Sequence, residues 1–324
     1  MVKIVIDMMG GDNGSKVTIA ATKKILDDFE DIEVVAVGDE NELSTFVNNP
    51  RVKIIPSQSV VPMECSVLQA MRMKDSSVYK AVNAVKDENA DAVLSAGSTG
   101  AFLSLTTLIN KKIEGIERPA LVTAFPTSVK DKNVVLLDVG ASSDNSADDL
   151  VQFAVMGEAY SKVIYGVEKP KVYLISNGSE EGKGNNLVKE AYEKLKSNPS
   201  FSGYIEGRYV LSGKADVVVF DGFTGNVFLK GTEGVAKMLG GMMKSAFTKS
   251  LKSKIGYLFA HKGIKELRSY MDYKKVGGAM LLGVNTVAVK AHGNSDERSF
   301  YNSIKVAYQL AKNDVVKQIK ENLK

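Results

Sequence analysis

Short apolar runs alternate along this chain with stretches whose apolar residues recur every three to four positions. The runs lie at Val2–Ile6, Glu33–Val37, Val52–Ile55, Ala92–Leu94, Leu121–Ala124, Val134–Leu137, Val172–Ile175, Phe201–Arg208, Ala215–Phe220 and Val284–Lys290. Runs of this length, bounded by Gly, Asp and Ser, predict strands. Between them, Val17, Ala20, Ala21, Ile25 and Phe29 mark one helix, and Leu187, Val188, Ala191, Tyr192 and Leu195 another. A loop from Pro56 to Pro62 precedes a long expected helix through Ala70, Met71, Val78, Val82 and Val85. The charged middle of that helix, Arg72 to Ser77, fits either a solvated face or an interrupted turn. Further helices are expected through Leu103 and Leu108, from Asp148, and at the C-terminus. Strands alternating with helices predict an α/β fold, a three-layer α/β/α arrangement around a mostly parallel sheet. No Pro/Ser-rich linker or short-period repeat interrupts the pattern, so residues 1–324 are read as one domain.

Six of the expected strands, ending after residues 6, 94, 137, 175, 220 and 290, open into small, polar, glycine-containing loops. In open parallel sheets ligands bind outside the carboxyl ends of the strands. Six such exits predict one shared crevice rich in N–H donors. Glycine ends strands well, which accounts for the glycines but not for Asp7, Asp12, Ser98, Thr99, Asp138, Asp144, Lys183, Asp221, Asn226, His292 and Asp296 beside them. The crevice suits a phosphate-type anion. In Lys171–Asn186 a lysine, Lys183, stands between Gly182 and Gly184 just before a helix. Glycines let backbone N–H groups approach a ligand, and the helix turns its positive end toward the loop. The spacing is neither a Walker A loop nor GxGxxG. An ordinary strand-to-helix turn with a solvated lysine is the plain alternative.

From Val235 apolar residues fall at 238, 239, 242, 243, 246, 247, 251, 255, 258 and 259, with Lys237, Lys244, Lys249 and Lys252 on the other positions. This predicts an amphipathic helical insertion over about 235–275, weakened as one straight helix by Gly240 and Gly241. A Met/Phe/Leu face opposite a lysine face suits a membrane surface or an acidic partner, while a core-facing helix with a solvated side is the commoner case.

Charge sharpens that picture. The net charge of +4 is too small to point to nucleic acid, yet Lys230–Lys275 holds eleven Lys/Arg against three acids, leaving −4 on the rest. One cysteine, Cys65, rules out an intrachain disulfide and suits a reducing cytoplasm. With only two histidines, a Cys/His zinc site is all but excluded, and neither metal nor cofactor is expected. The chain opens on MVKIVID, with no export signal at its start, and no apolar run approaches the ~20 residues that span a bilayer.

At the strand exits the sequence resembles the bacterial phosphate acyltransferases of phospholipid synthesis, the PlsX family. Met9-Gly10-Gly11-Asp12, Ser95 through Ala101, Glu180 through Asn185, Glu206-Gly207-Arg208, Lys214 through Val219, Asp221 through Asn226 and Leu282-Gly283-Val284-Asn285 carry the likeness in one order from Val2 to about Asp296. The resemblance implies transfer of a long-chain acyl group from acyl carrier protein to inorganic phosphate. It also implies a fold similar to isocitrate and isopropylmalate dehydrogenases and phosphotransacetylases, and a homodimer. The expected location is cytoplasmic, loosely attached to the inner membrane surface directly or through the glycerol-phosphate acyltransferase. Three positions depart from the family pattern: Met8 replaces the usual alanine, and Ser98 and Ser142 stand where asparagine is common. A hydroxyl can donate there but lacks the reach of an amide.

Acyl transfer to phosphate needs no protein nucleophile, because phosphate is itself an oxyanion. That fits a chain without a GxSxG elbow. On this reading Lys183 with the N–H groups of Gly182 and Gly184 takes the phosphate. Asn226 orients phosphate or donates to the carbonyl, and Gly10, Gly11, Ser98, Thr99 and Gly100 add donors. Asp7, Asp12 and Asp138 line the phosphate site, and Asp7, Asp138 and Asp221 either orient donors and brace loops or act in the chemistry. His292 bonds phosphate or protonates the leaving sulfur, or is simply structural. Three other readings stay open: a short-chain phosphotransacetylase, a nicotinamide-dependent dehydrogenase, and a non-catalytic sensor of a phosphorylated metabolite that docks on membranes.

Overall fold

The computed structural model describes residues 1–270 and 277–323. Its first part lays down β1 (Val2–Asp7), α1 (Gly14–Asp28), β2 (Ile32–Gly38), β3 (Val52–Pro56), α2 (Val67–Arg72), α3 (Ser77–Asp87), β4 (Ala92–Ser95) and α4 (Thr99–Asn110). Next come β5 (Ala120–Pro126), β6 (Asn133–Leu137), α5 (Ala147–Tyr165), β7 (Val172–Ser176), α6 (Asn186–Leu195), β8 (Phe201–Glu206), β9 (Val217–Val219), α7 (Gly222–Thr248) and α8 (Leu251–Tyr270). The chain closes with β10 (Ala279–Leu282), β11 (Val287–Lys290), α9 (Glu297–Lys312) and α10 (Val315–Asn322).

These strands form one sheet in the order β3-β2-β1-β4-β11-β10-β5-β6-β9-β7-β8. The fold is α/β and the sheet mostly parallel, as the sequence predicts. Its polarity, however, reverses in the middle. β3, β2, β1, β4 and β11 are mutually parallel, and so are β6, β9, β7 and β8. β10 runs antiparallel to both β11 and β5, and β5 antiparallel to β6. The two parallel sets therefore point their carboxyl ends toward opposite edges of the sheet.

One face carries a continuous core, from Ile4 and Ile6 to Leu137 and Val217, packed with residues of α1, α5, α9 and α10. On the other face the core divides. Val5, Val93 and Ala288 pack with α3 and α4, while Leu136, Val218 and Phe220 form a separate cluster joined by Phe228 of α7. Leu103 and Ala141 touch both clusters and flank the division between them.

Two helices differ from expectation. The long helix through Ala70 and Val85 is two helices, so the interrupted turn is the correct alternative. Ser66 and Gln69 make a reciprocal capping box on α2, and Ser76, in an extended conformation, ends the turn by donating to the Met73 carbonyl (2.6 Å). The second difference is the amphipathic helix. α7 starts at Gly222 rather than Val235 and runs unbroken for 27 residues through Gly240 and Gly241. Two glycines cost about 1 kcal/mol each relative to alanine. The flanking Leu, Met, Ala and Lys are good helix formers, and the first turn is fixed by tertiary contacts described below. Ser250 then opens the antiparallel return, its Oγ accepting from Ser253 N (3.1 Å), and Phe247 of α7 meets Tyr257 of α8 at 5.7 Å between ring centres. Residues 271–275 of the expected insertion lie outside the described residues.

Candidate active site

The ends of β1, β4 and β11 come together. Asp7, fully buried, accepts from Gly10 N (3.1 Å), Met9 N (3.3 Å) and Ser95 Oγ (2.6 Å). Burial pushes its carboxyl above the usual range, and those donors oppose the shift. Ser95 Oγ also accepts from Gly97 N (3.0 Å), so the first two exit loops share one small network. Asp12 N donates to the Gly293 carbonyl (2.7 Å) and Asn13 Nδ2 to the Ser295 carbonyl (2.8 Å), tying in the β11 exit that carries half-buried His292. Ser98, buried, donates to the Met63 carbonyl (3.2 Å) and so leaves the first turn of α4 without a side-chain cap. That turn has no acid, and Thr99 and Gly100 are exposed. Uncapped N–H groups on a twelve-residue helix offer a ready anion site.

Lys290, which sequence reasoning missed, belongs to this group. It ends β11 in register with Ser95 and is only 6% exposed. Burial pulls its ammonium down to about 8, against the attraction of Asp7 and Asp12. The available signal was period two: Ala288, two residues before it, packs in the α3/α4 cluster, so Lys290 points to the same side.

A second group surrounds the ends of β6 and β9. Asp138 Oδ1 accepts from Leu121 N (2.8 Å), Gly140 N (3.0 Å) and Ala141 N (2.9 Å), and Oδ2 from Ser142 N (2.9 Å) and Ser142 Oγ (3.1 Å). Burial raises this carboxyl too, opposed by the N–H donors. With both oxygens occupied, Asp138 is a brace for the loop. Asn145 donates to Ser142 Oγ (2.7 Å) and accepts from Gly222 N (3.0 Å), joining this loop to α7. Asp221 caps α7 from Thr224 N (2.9 Å). Asn226, exposed, lies against Gly140, where an added Cβ would meet its Cγ at 3.3 Å.

The Lys183 loop closes on itself. Gly182 and Gly184 take positive φ, +85° and +94°, as the sequence suggests. Gly184 N, however, donates to Asn177 Oδ1 (2.9 Å) and Lys183 N to the Glu180 carbonyl (3.2 Å), while Asn185 caps α6 from Val188 N (2.9 Å). Of the two glycine N–H groups expected to cradle an anion there, that of Gly184 is taken by the loop itself. The Lys183 side chain is exposed and, among the described residues, makes no ion pair; Glu181 pairs with Lys196 instead (2.7 Å).

The six exits leave the sheet in two opposite directions. β9 lies four strand spacings from β11, about 19 Å along the sheet, and β7 lies seven from β1, about 34 Å. Asp7, Gly10, Gly11, Asp12, Ser98, Thr99, Gly100 and His292 form one set. Asp138, Asn226, Gly182, Lys183 and Gly184 belong to the oppositely directed strands.

The family model of the fatty acid synthesis proteins matches residues 2–318. The chain belongs to this family. A member from Staphylococcus haemolyticus, named phosphate acyltransferase, is 41% identical over 326 residues, covering 100% of this chain and 98% of that protein. Among solved structures, a phosphotransacetylase from Streptococcus pyogenes superposes with a TM-score of 0.65 at 18% identity, covering 96% of this chain and 94% of that one. A 4-hydroxythreonine-4-phosphate dehydrogenase from Klebsiella pneumoniae gives 0.53 at 13% identity, covering 96% and 99%. These structures share the fold. Among the described residues of this family member, no group of three His, Cys, Asp or Glu is placed to hold a metal, and no helix is long and apolar enough to cross a membrane.

Proposed function

We propose that the chain is an acyltransferase that moves a long-chain acyl group from acyl carrier protein to inorganic phosphate, giving acyl phosphate for phospholipid synthesis. The observation that carries this reading is the end-to-end likeness to a protein named phosphate acyltransferase, with both of the strand-exit groups inside the matched span. A phosphate oxygen attacks the thioester carbonyl carbon, the C–S bond breaks, and the electron pair leaves on sulfur. A thiol pKa near 8.5 means the thiolate departs with little help, so the site must chiefly neutralise phosphate and align it. Phosphate sits on the uncapped start of α4 and the Gly10-Gly11 loop, with His292 beside it. Asn226 donates to the carbonyl oxygen.

The acyl chain then has a place. An apolar groove of about 800 Å³ runs between the end of β5, residues 207–212 and α7, and Val227 and Phe228 begin it one residue from Asn226. Lys183, on the exit next to that of β9, serves the carrier's acidic surface. The chain works as one catalytic unit and as a homodimer. Incubation with long-chain acyl carrier protein and hydroxylamine is expected to give hydroxamate only when phosphate is present. Phosphate binding without product would leave a sensor in place of an enzyme.

The α7–α8 hairpin exposes Met238, Leu239, Met242, Leu251, Ile255, Leu258 and Phe259, and its two helices line an open groove of about 670 Å³. Beside the lysines, this face suits an acidic carrier or an anionic lipid surface, and holds a cytoplasmic protein at the inner face of the membrane, next to the glycerol-phosphate acyltransferase that uses its product. Replacing Lys249, Lys252 and Lys254 with Glu reverses three charges. At about 1 kcal/mol per cation near an anionic surface, vesicle affinity is expected to fall 100-fold or more. Unchanged vesicle binding together with an unchanged carrier KM would remove the proposal.

A further inference from the structure

A lysine that is nine-tenths buried and lacks a carboxylate partner is costly unless something anionic joins it, because desolvation disfavours its charge. Lys290 is in that position. Its ammonium donates to the Ala291 carbonyl, and among the described residues neither a second acceptor nor an ion pair within 4.0 Å is present. Lysine carries three donors, so two are left. The groups around it are arranged for one guest. On the adjacent strand Ser95 gives its hydrogen to Asp7, and Asp7 in turn takes two backbone N–H groups, so the nearest carboxylate is already occupied by donors. Asp12, the other acid that acts on Lys290, is exposed to solvent. α4, β4 and β10 contribute no charged side chain, the charged residues of α9, which packs on β11, are all exposed (Glu297, Arg298, Lys305 and Lys312), and His292 lies in the loop that follows Lys290.

We infer that Lys290 is the cation of an oxyanion pocket built from the ends of β1, β4 and β11 and the uncapped first turn of α4, and that the anion it takes is the phosphate substrate. This rests on the phosphate-transfer reading and relocates its cation. Lys183 is solvated and lies in the loop after an oppositely directed strand, whereas Lys290 is desolvated where its charge interacts most strongly. It shares the pocket with donors from Thr99 and Gly100, which lie beyond the other end of the Ser95–Ser98 loop. An ammonium held near neutrality by burial becomes fully protonated when a dianion arrives.

The test compares wild type with Lys290→Met, of similar length and no charge. The phosphate KM is expected to rise about tenfold or more, the loss of one charge-assisted contact, while the KM for acyl carrier stays within about twofold. Phosphate added without acyl donor is expected to raise the melting temperature of the wild type and not of the variant. Sulfate, which does not titrate in this range, provides a measurement on the wild type alone. As a competitive inhibitor against phosphate it is expected to weaken between pH 7 and 9 as Lys290 loses its proton. An unchanged phosphate KM with the phosphate-induced stabilisation intact would overturn the assignment, as would a sulfate inhibition constant flat across that range should the variant not fold. Loss of all acyl phosphate formation by the wild type, with phosphate binding still dependent on Lys290, would instead refute the transferase and keep the pocket.

Discussion

Gly225→Ala is expected to destabilise the protein by about 4 kcal/mol or more and to cut activity over 100-fold at temperatures where any fold remains. A Cβ at Gly225 would lie 1.8 Å from the Asp138 carbonyl oxygen and 2.9 Å from its carbon, and 3.1 Å from Phe220 Cβ. Ordinary carbon–oxygen contacts begin near 3.4 Å, so the methyl needs a shift of more than 1 Å. The obstruction is backbone, not a side chain that can rotate away. The Asp138 backbone is also held on the other side, since its carboxylate anchors four donors of the same loop and Leu121 N of β5. Gly222 repeats the arrangement, with the Ser142 oxygen 1.8 Å from its added Cβ. The control lies on the same helix. Gly234 has nothing within 4 Å of an added Cβ, and Gly234→Ala is expected to stabilise by about 0.5–1 kcal/mol. Urea and thermal unfolding of the two variants decide the matter. A Gly225→Ala melting temperature within two degrees of wild type would mean that the loop is not seated on α7 as described.

That contact explains why α7 runs further than its sequence suggests. Periodicity from Val235 is visible, but the anchoring of its first turn depends on a loop some eighty residues earlier. Local propensity sees Gly240 and Gly241 and not Gly222 docked beneath Ser142. The alternation of strands and helices was legible because buried parallel strands are continuous apolar runs, as in Val217–Val219. Strand direction was not. Apolar periodicity reports burial, and the reversal rests on the antiparallel pairing of β5 with β6, two apolar runs that read the same in either direction. The exit loops were legible from their glycines, and residues such as Gly10, Asp7 and Ser98 do cluster. Lys290 was hidden because a lysine ending a strand usually reads as the point where the chain meets water. Lys183 was conspicuous for a local reason, its two glycines, while the Asn177 side chain that closes the loop is indistinguishable from any turn asparagine.

The reversal of direction makes a strong demand on the reaction. Phosphate on the α4 side and a thioester carbonyl at Asn226 must approach to about 3 Å, yet β11 and β9 are some 19 Å apart along the sheet and exit at opposite edges. A two-fold homodimer meets the demand if each site joins the β1/β4/β11 exits of one protomer to the β6/β9 exits of its partner, since an isologous interface repeats every such junction twice. Two lesions test this. Gly100→Asp places a carboxylate on the exposed first turn of α4, where an added Cβ has open space, so it repels phosphate without disturbing the fold. Asn226→Ala removes the exposed amide on the other side. Each variant alone is expected to lose activity about 100-fold or more. Mixed and refolded together in equal amounts, half the dimers are hybrid, and one of the two sites in each hybrid has both halves intact. Activity should then return to about a quarter of wild type. No recovery, with hybrid dimers demonstrated by tagged co-purification, would place both half-sites in one chain and require the two edges of the sheet to meet by a domain motion instead.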